Sequence, residues 1–189
     1  MFKNTQNTIN LDELYNNNSF ELKNDYYLTI VFNKNNYSFK NLLYKILFKS
    51  KFTHISIFLD NKYEIETTFE NGTIYKDVDI KNDLQLIEFN KYMSYRLNKI
   101  VKIKISKEEY YRILNLKKII NNTKYDNLSL FKNLFNNSLY NKNKFICTEI
   151  LELVLLNINI KVNNRYNIVN LYNNLIKKLE KSDKQFYLI

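Results

Sequence analysis

The chain has 189 residues, of which 45% are hydrophobic and 15% aromatic, and a formal net charge of +10, which suits one globular domain. The aromatic content argues against disorder, and no apolar run reaches the length of a membrane span, so we expect a soluble protein without stable membrane insertion. A single cysteine excludes an intramolecular disulfide and fits the cytoplasm or another reducing compartment.

The excess of lysine admits two interpretations. A basic surface attracts nucleic acid by counterion release, so nucleic acid is an alternative partner. The lysines are scattered, however, and the chain has one glycine and no proline, as codon bias in an AT-rich genome would produce. We therefore favour lysines spread over solvated faces.

The elements were predicted in chain order from hydrophobic periodicity. Residues 1–23 are polar and asparagine-rich, and we predict a loosely ordered leader followed by one domain over residues 24–189. Strands are predicted at 26–32, 52–59, 62–68, 84–89, 100–105 and 185–189, with a turn at Asn71-Gly72 between strand-like segments. Helices are predicted at 42–47, 107–120, 128–134, 147–156 and 168–179, the second of them with a capping box formed by Ser106 and Glu109. This order of strands and helices indicates an α+β fold.

Residues 52–68 are predicted to form a β-hairpin that carries the only histidine, His54. The two-residue period of a strand places Glu64 and Glu66 on one face of the returning strand. An imidazole and a carboxylate are therefore expected to meet across the hairpin. Alternation does not choose between the two glutamates, and Glu64 is expected to be a solvated hairpin residue.

The only cysteine, Cys147, begins the predicted helix 147–156. The unpaired N–H groups and the dipole at a helix N-terminus favour a thiolate, and the same amides can bind a developing oxyanion. One cysteine, one histidine and a carboxylate are the ingredients of a thiol hydrolase, although each is equally compatible with an ordinary structural role. We expect no metal or cofactor, because one histidine and one cysteine are too few for a zinc site of ordinary composition.

Four segments together resemble one protein family. They are NDYYL (24–28), THISIFLDNKYEIETT (53–68), TKYDNLSLF (123–131) and FICTEILELVL (145–155), and they follow one another in that order. They are similar to the glycine–aspartate segment, the histidine hairpin, the tyrosine–aspartate segment and the cysteine helix of the circularly permuted NlpC-type papain-like hydrolases, with Asn24 in the place of the first glycine. That group includes YiiX-like hydrolases, relatives of lecithin retinol acyltransferase and a poxviral branch. Ser56 stands where the family carries glycine.

The resemblance implies a permuted papain-like fold, in which an antiparallel sheet is flanked by helices and the nucleophile lies at a helix N-terminus. It implies that Cys147 is the nucleophile, His54 the base and Glu66 the third catalytic residue, with Tyr125 and Asp126 in substrate binding or structural support. The implied activity is that of a hydrolase or acyltransferase that acts on an amide or ester of a peptide or lipid through an acyl-enzyme.

Two alternatives stay open at this point. One is a basic protein that binds nucleic acid. The other is an inactive papain-like scaffold protein of a large DNA virus, a source that the AT-rich composition and the poxviral branch suggest and that would place the protein in the host cytoplasm.

Overall fold

The structure, a computed structural model, describes residues 25–35, 52–68, 70–82, 85–86, 88, 95–126, 144–162 and 167–189. Its strands are β1 (Tyr26–Asn35), β2 (His54–Leu59), β3 (Tyr63–Thr68), β4 (Gly72–Asp77), β5 (Tyr95–Ile105), β6 (Lys124–Tyr125), β7 (Lys144–Phe145) and β8 (Phe186–Leu188). Its helices are α1 (Lys107–Ile120), α2 (Cys147–Leu156) and α3 (Ile168–Leu179).

Six of these strands form one antiparallel sheet in the order β4-β3-β2-β1-β5-β8. Strands β6 and β7 pair in parallel as a separate two-stranded unit. Three helices accompany the sheet in the described part of the chain, so the predicted α+β class is confirmed.

The hairpin of β2 and β3 has the turn that its sequence predicts. Asp60 and Asn61 have φ angles of 52° and 55°, and the Lys62 N–H donates to the Leu59 carbonyl at 3.1 Å. Positive φ at both central residues is the geometry of a type I′ turn, which aspartate and asparagine tolerate better than most residues. The predicted hairpin is thus confirmed.

The predicted strand at 84–89 is wrong. Residues 85, 86 and 88 are helical, and the Leu86 N–H donates to the Asn82 carbonyl at 3.1 Å. The Asn82 side chain accepts the Gln85 N–H at 2.9 Å, which is the bond of a helix N-cap. Leu86 is fully buried, and periodicity alone does not separate a strand from a helix in an apolar run as short as 84–89.

The sheet separates two apolar clusters. The larger cluster joins one face of the sheet to the three helices, and α1 begins at the predicted capping box, in which Glu109 N–H donates to Ser106 Oγ at 3.2 Å. The smaller cluster lies on the other face and consists of Val31, Phe58, Ile80, Leu86 and Ile100. Both faces of the central strands are therefore covered.

Several predictions fall on residues that the structure does not describe: the leader at 1–23 and the helices at 42–47 and 128–134. Within the described ranges, none of the helices has the length and apolarity needed to cross a bilayer.

Candidate active site

His54 is the first residue of β2, at the open end of the β2–β3 hairpin. The register pairs Ser56 with Glu66 and Phe58 with Glu64. Directly opposed residues on neighbouring strands share a face, so His54 lies on the same face of the sheet as both glutamates.

Glu66 is the glutamate that meets the imidazole. Its Oε1 lies 3.4 Å from His54 Nε2, an ion-pair contact that is longer than a usual N–H···O hydrogen bond. The Glu66 residue is only 2% exposed, so this contact is shielded from water. The structure thus brings together the two residues of the predicted base and orienting carboxylate.

Cys147 is the first residue of α2, a helix that packs against β2 and β3. Its side chain hydrogen-bonds with that of His54. The imidazole of His54 therefore interacts with both the thiol of Cys147 and the carboxylate of Glu66.

The first turn of α2 is capped from within the helix. The N-cap residue is Ile146, whose side chain makes no capping hydrogen bond. The carboxylate of Glu149 instead reaches back to the Ile146 N–H at 3.0 Å, and the Glu149 N–H donates to the Ile146 carbonyl at 3.0 Å. The first N–H groups of an α-helix generally have no intrahelical partner, so the helix itself does not use those of Cys147 and Thr148.

Opposed influences set the pKa values of His54 and Glu66. Burial alone would lower the pKa of His54, but hydrogen bonds and charge interactions with Cys147 and Glu66 raise it to about 9. Burial would raise the pKa of Glu66, but His54 and Lys76 lower it to about 2. At neutral pH the site therefore holds an imidazolium beside a carboxylate.

Tyr125 and Asp126 lie beside the strand that leads into Cys147. Tyr125 in β6 pairs with Phe145 in β7, and the Asp126 N–H donates to the Phe145 carbonyl at 3.1 Å. Burial raises the pKa of Tyr125, and the charges of Cys147, Glu149 and Asp126 raise it further, so its hydroxyl keeps its proton. Both residues are placed to support the cysteine.

The only glycine of the chain holds this supporting segment in place. Gly72 begins β4 with a φ of 67°, and a Cβ atom there would fall on the carbonyl of Thr123. The Thr73 N–H donates to that same carbonyl at 2.8 Å. The close approach of the two backbones requires glycine, and it anchors the segment that continues into Tyr125.

The expectation that Glu64 is solvated is wrong. Glu64 is 2% exposed, because β4 pairs with β3 and places Lys76 directly opposite it. Burial and the charge of Glu66 raise the pKa of Glu64 to about 7, although Lys76 and His54 oppose the shift.

Lys76 is a site residue that the sequence reasoning missed. Its Nζ lies 2.6 Å from Glu66 Oε2 and 3.8 Å from Glu64 Oε2. The turn signal at Asn71-Gly72 would not have found it, because a two-residue turn at those positions pairs residue 76 with residue 67. In the structure Thr68 lies opposite Gly72, and this register is what places Lys76 opposite Glu64.

Ser56, where the resembled family carries glycine, fits without crowding the site. It is fully buried, and Asn33 on β1 donates its side-chain N–H to Ser56 Oγ at 3.2 Å. The hydroxyl is thus accommodated by a polar neighbour on the adjacent strand.

Comparison with known proteins finds no matching family model, no matching curated protein and no matching solved structure. In the parts of the chain that the structure describes, no group of three or more histidine, cysteine and acidic residues is arranged to hold a metal ion.

Proposed function

We propose that this protein is a thiol-dependent hydrolase or acyltransferase with a permuted papain-like fold, acting on an amide or ester through Cys147, His54 and Glu66. The observation that carries the proposal is the continuous set of contacts from the cysteine through the imidazole to the carboxylate. A nucleophile in contact with a base, and a base in contact with an orienting group, is the arrangement that activates a weak nucleophile.

In the first half-reaction, the thiolate of Cys147 attacks the carbonyl carbon of the substrate and forms a carbon–sulfur bond. The carbonyl electrons move to oxygen, and the first amides of α2 hydrogen-bond this oxyanion. His54, as imidazolium, donates its proton to the leaving amine or alcohol as the carbon–heteroatom bond breaks. The product of this step is an acyl-enzyme.

In the second half-reaction, His54 is neutral and takes a proton from water or from an acceptor alcohol or amine. The acceptor oxygen or nitrogen attacks the thioester, and the carbon–sulfur bond breaks to regenerate the thiolate. Glu66 stabilises the imidazolium that forms in this step and keeps the ring orientation without taking the proton. Peptide amides and lipid esters both suit this chemistry.

A reducing compartment suits the proposed mechanism, because a reactive, partly exposed thiolate is the form that oxidants attack. Cys147 is a free cysteine of intermediate exposure. For a chain from a large DNA virus, the host cytoplasm provides that compartment.

The proposal is tested by alkylation of the single cysteine with iodoacetamide, followed by mass spectrometry across a pH series. We expect fast alkylation of Cys147 at pH values well below about 8.5, the pKa of an ordinary thiol, because the imidazolium stabilises the thiolate. The His54→Ala variant should lose the fast reaction at low pH, and the same chain unfolded in urea gives the ordinary profile as a control.

The decisive outcome is the comparison between these three profiles. If folded wild type, His54→Ala and unfolded chain alkylate with one common pH profile, the thiol is not activated and the proposed function is wrong. An unactivated thiol would leave the inactive scaffold or the nucleic-acid-binding protein as the better hypothesis.

A further inference from the structure

We propose that Lys76 is a positioning residue of this site: it fixes the carboxylate of Glu66 so that one oxygen faces the histidine. The inference rests on the proposed function for its meaning, but its geometry stands by itself. Lys76 Nζ lies 2.6 Å from Glu66 Oε2, while Glu66 Oε1 lies 3.4 Å from His54 Nε2. The two oxygens of one carboxylate thus have two different cationic partners.

A carboxylate held at one oxygen only can rotate about its terminal torsion, which is broad and roughly two-fold. A short charge-assisted hydrogen bond at the second oxygen removes this freedom. Lys76 is able to supply it because β4 pairs with β3, so the lysine projects beside the glutamates from the neighbouring strand. The imidazole then meets an acceptor that is already oriented.

The second glutamate explains why a lysine suits this position. Glu64 and Glu66 are both 2% exposed and share one face of β3, and two carboxylates buried together repel each other. Lys76 contacts both, and Glu64 Oε2 has no hydrogen-bond partner among the described residues. The cation therefore offsets the repulsion that would otherwise favour a proton on one of the pair.

The charged groups around His54 come from three elements. Glu66 and Glu64 face it from β3, the Cys147 thiol faces it from α2, and Lys76 acts from β4. If Lys76 acted only as a nearby positive charge, its removal would raise the pKa of His54, since losing a cation favours protonation of another group. If it positions Glu66, its removal lowers that pKa, because the imidazolium loses its oriented partner. The two roles thus predict opposite signs.

The experiment uses the fact that His54 is the only histidine, so its ring signals in an NMR titration need no assignment. We expect the pKa of His54, about 9 in wild type, to fall by about one unit or more in Lys76→Met. Alkylation of Cys147 at pH 6, where His54 stays charged, should slow by about tenfold or more, because an imidazolium without its oriented partner is held less firmly against the thiol. Lys76→Arg, which keeps a charged donor, should restore most of both values.

Two controls separate positioning from general damage. Lys62→Met removes a lysine of the same hairpin that is 69% exposed and 3.7 Å from Asp60, and it should leave both readings unchanged. In a Glu66→Gln background, Lys76→Met should have little further effect on His54, because the lysine acts through that carboxylate.

A raised or unchanged pKa of His54 in folded Lys76→Met overturns the inference. If that variant does not fold, Lys76→Met combined with Glu64→Gln removes the second buried charge, and the same fall in the His54 pKa is expected. The proposed function fails separately, through an ordinary alkylation profile in wild type. The titration of His54 tests the positioning role of Lys76 whether or not the thiol of Cys147 is reactive.

Discussion

Glu64 and Glu66 lie two positions apart on β3 and are both buried, yet their neighbours move their pKa values in opposite directions. Glu66 contacts His54 and Lys76, and its pKa falls to about 2. Burial and the charge of Glu66 raise the pKa of Glu64 to about 7. Separated pKa values in a pair of titratable groups are typical of sites with divided roles. Glu66 is therefore the charged member of the pair, which suits its proposed role beside His54, and Glu64 is neutral below neutral pH.

The different charge states of Glu64 and Glu66 predict different rates of Cys147 alkylation in the two matched variants, Glu64→Gln and Glu66→Gln. Glu66→Gln removes the carboxylate that keeps the imidazole oriented against the thiol, so alkylation of Cys147 at pH 6 should slow by about tenfold or more. Glu64→Gln resembles the neutral acid already present at that pH, so it should alkylate at the wild-type rate. The measurement is the alkylation rate of both folded variants. If Glu64→Gln is the slower variant, the roles of the two glutamates are exchanged.

Glu64 and Glu66 also differ in how they affect the free energy of unfolding. A carboxyl group with a raised folded pKa costs stability as the pH rises from its unfolded pKa to its folded pKa, so the penalty of Glu64 is absent below about pH 4.5 and complete above about pH 7. Glu64→Gln should therefore increase the free energy of unfolding at pH 8, by at most about 3 kcal/mol, and leave it unchanged near pH 4.5. Urea unfolding at the two pH values checks this. An equal change at both would show that ionisation of Glu64 is not the cause.

At the scale of elements, the β3–β4 turn couples the hairpin to the segment that supports the cysteine. Gly72 has a positive φ and lies against the Thr123 carbonyl, and residues 123–126 continue alongside β7 into Cys147. One backbone contact therefore connects the edge of the sheet to the segment that leads into α2.

We expect Gly72→Ala to reduce the free energy of unfolding by about 2 kcal/mol or more, because alanine is strained at positive φ and its Cβ would strike backbone. Asn71→Ala is the matched control. Asn71 is exposed, and its backbone N–H, which alanine keeps, donates to Thr68 Oγ1 at 3.2 Å, so a change within about 0.5 kcal/mol is expected. Equal stabilities of the two variants, measured by urea unfolding, would contradict the required close approach.

At the scale of the molecule, the buried site makes folding stability depend on pH in a defined direction. The lowered pKa of Glu66 contributes stability that is complete above about pH 4.5 and lost as the pH falls through about 2. The raised pKa of His54 contributes stability that is complete below about pH 6.5 and lost as the pH rises through about 9. The raised pKa of Glu64 lowers the folding stability as the pH rises from about 4.5 to 7.

Together the three groups should give the greatest stability near pH 4.5 and a decline toward pH 9. The measurement is urea unfolding of wild type and of the His54→Ala variant at intervals from pH 4 to pH 9. The free energy of unfolding of wild type should exceed that of His54→Ala by an amount that shrinks as the pH rises from about 6.5 to 9, where His54 loses its proton. A constant difference across this range would show that His54 does not gain its proton affinity on folding.

The sequence alone was sufficient for most of the elements in the described part of the chain. The type I′ turn at Asp60 and Asn61, the capping box at Ser106 and the helices Cys147–Leu156 and Ile168–Leu179 follow from residues that are close in sequence. Turn chemistry, capping and periodicity are local properties, so a single sequence expresses them. The predicted strand at 84–89 is wrong because Asn82 caps a helix there, and an apolar run this short is ambiguous between strand and helix.

Sequence pattern also selected the site residues Cys147, His54 and Glu66, with the choice of Glu66 over Glu64 depending on the resemblance. Only the tertiary structure brought the start of α2 to the open end of the hairpin, buried Glu64 and placed Lys76 against both glutamates. Alternation fixes which residues share a face of a strand, but the pairing of strands and the packing of helices decide what covers that face. Since a pKa depends on burial and on neighbouring charges, the charge states at this site were set by those long-range contacts.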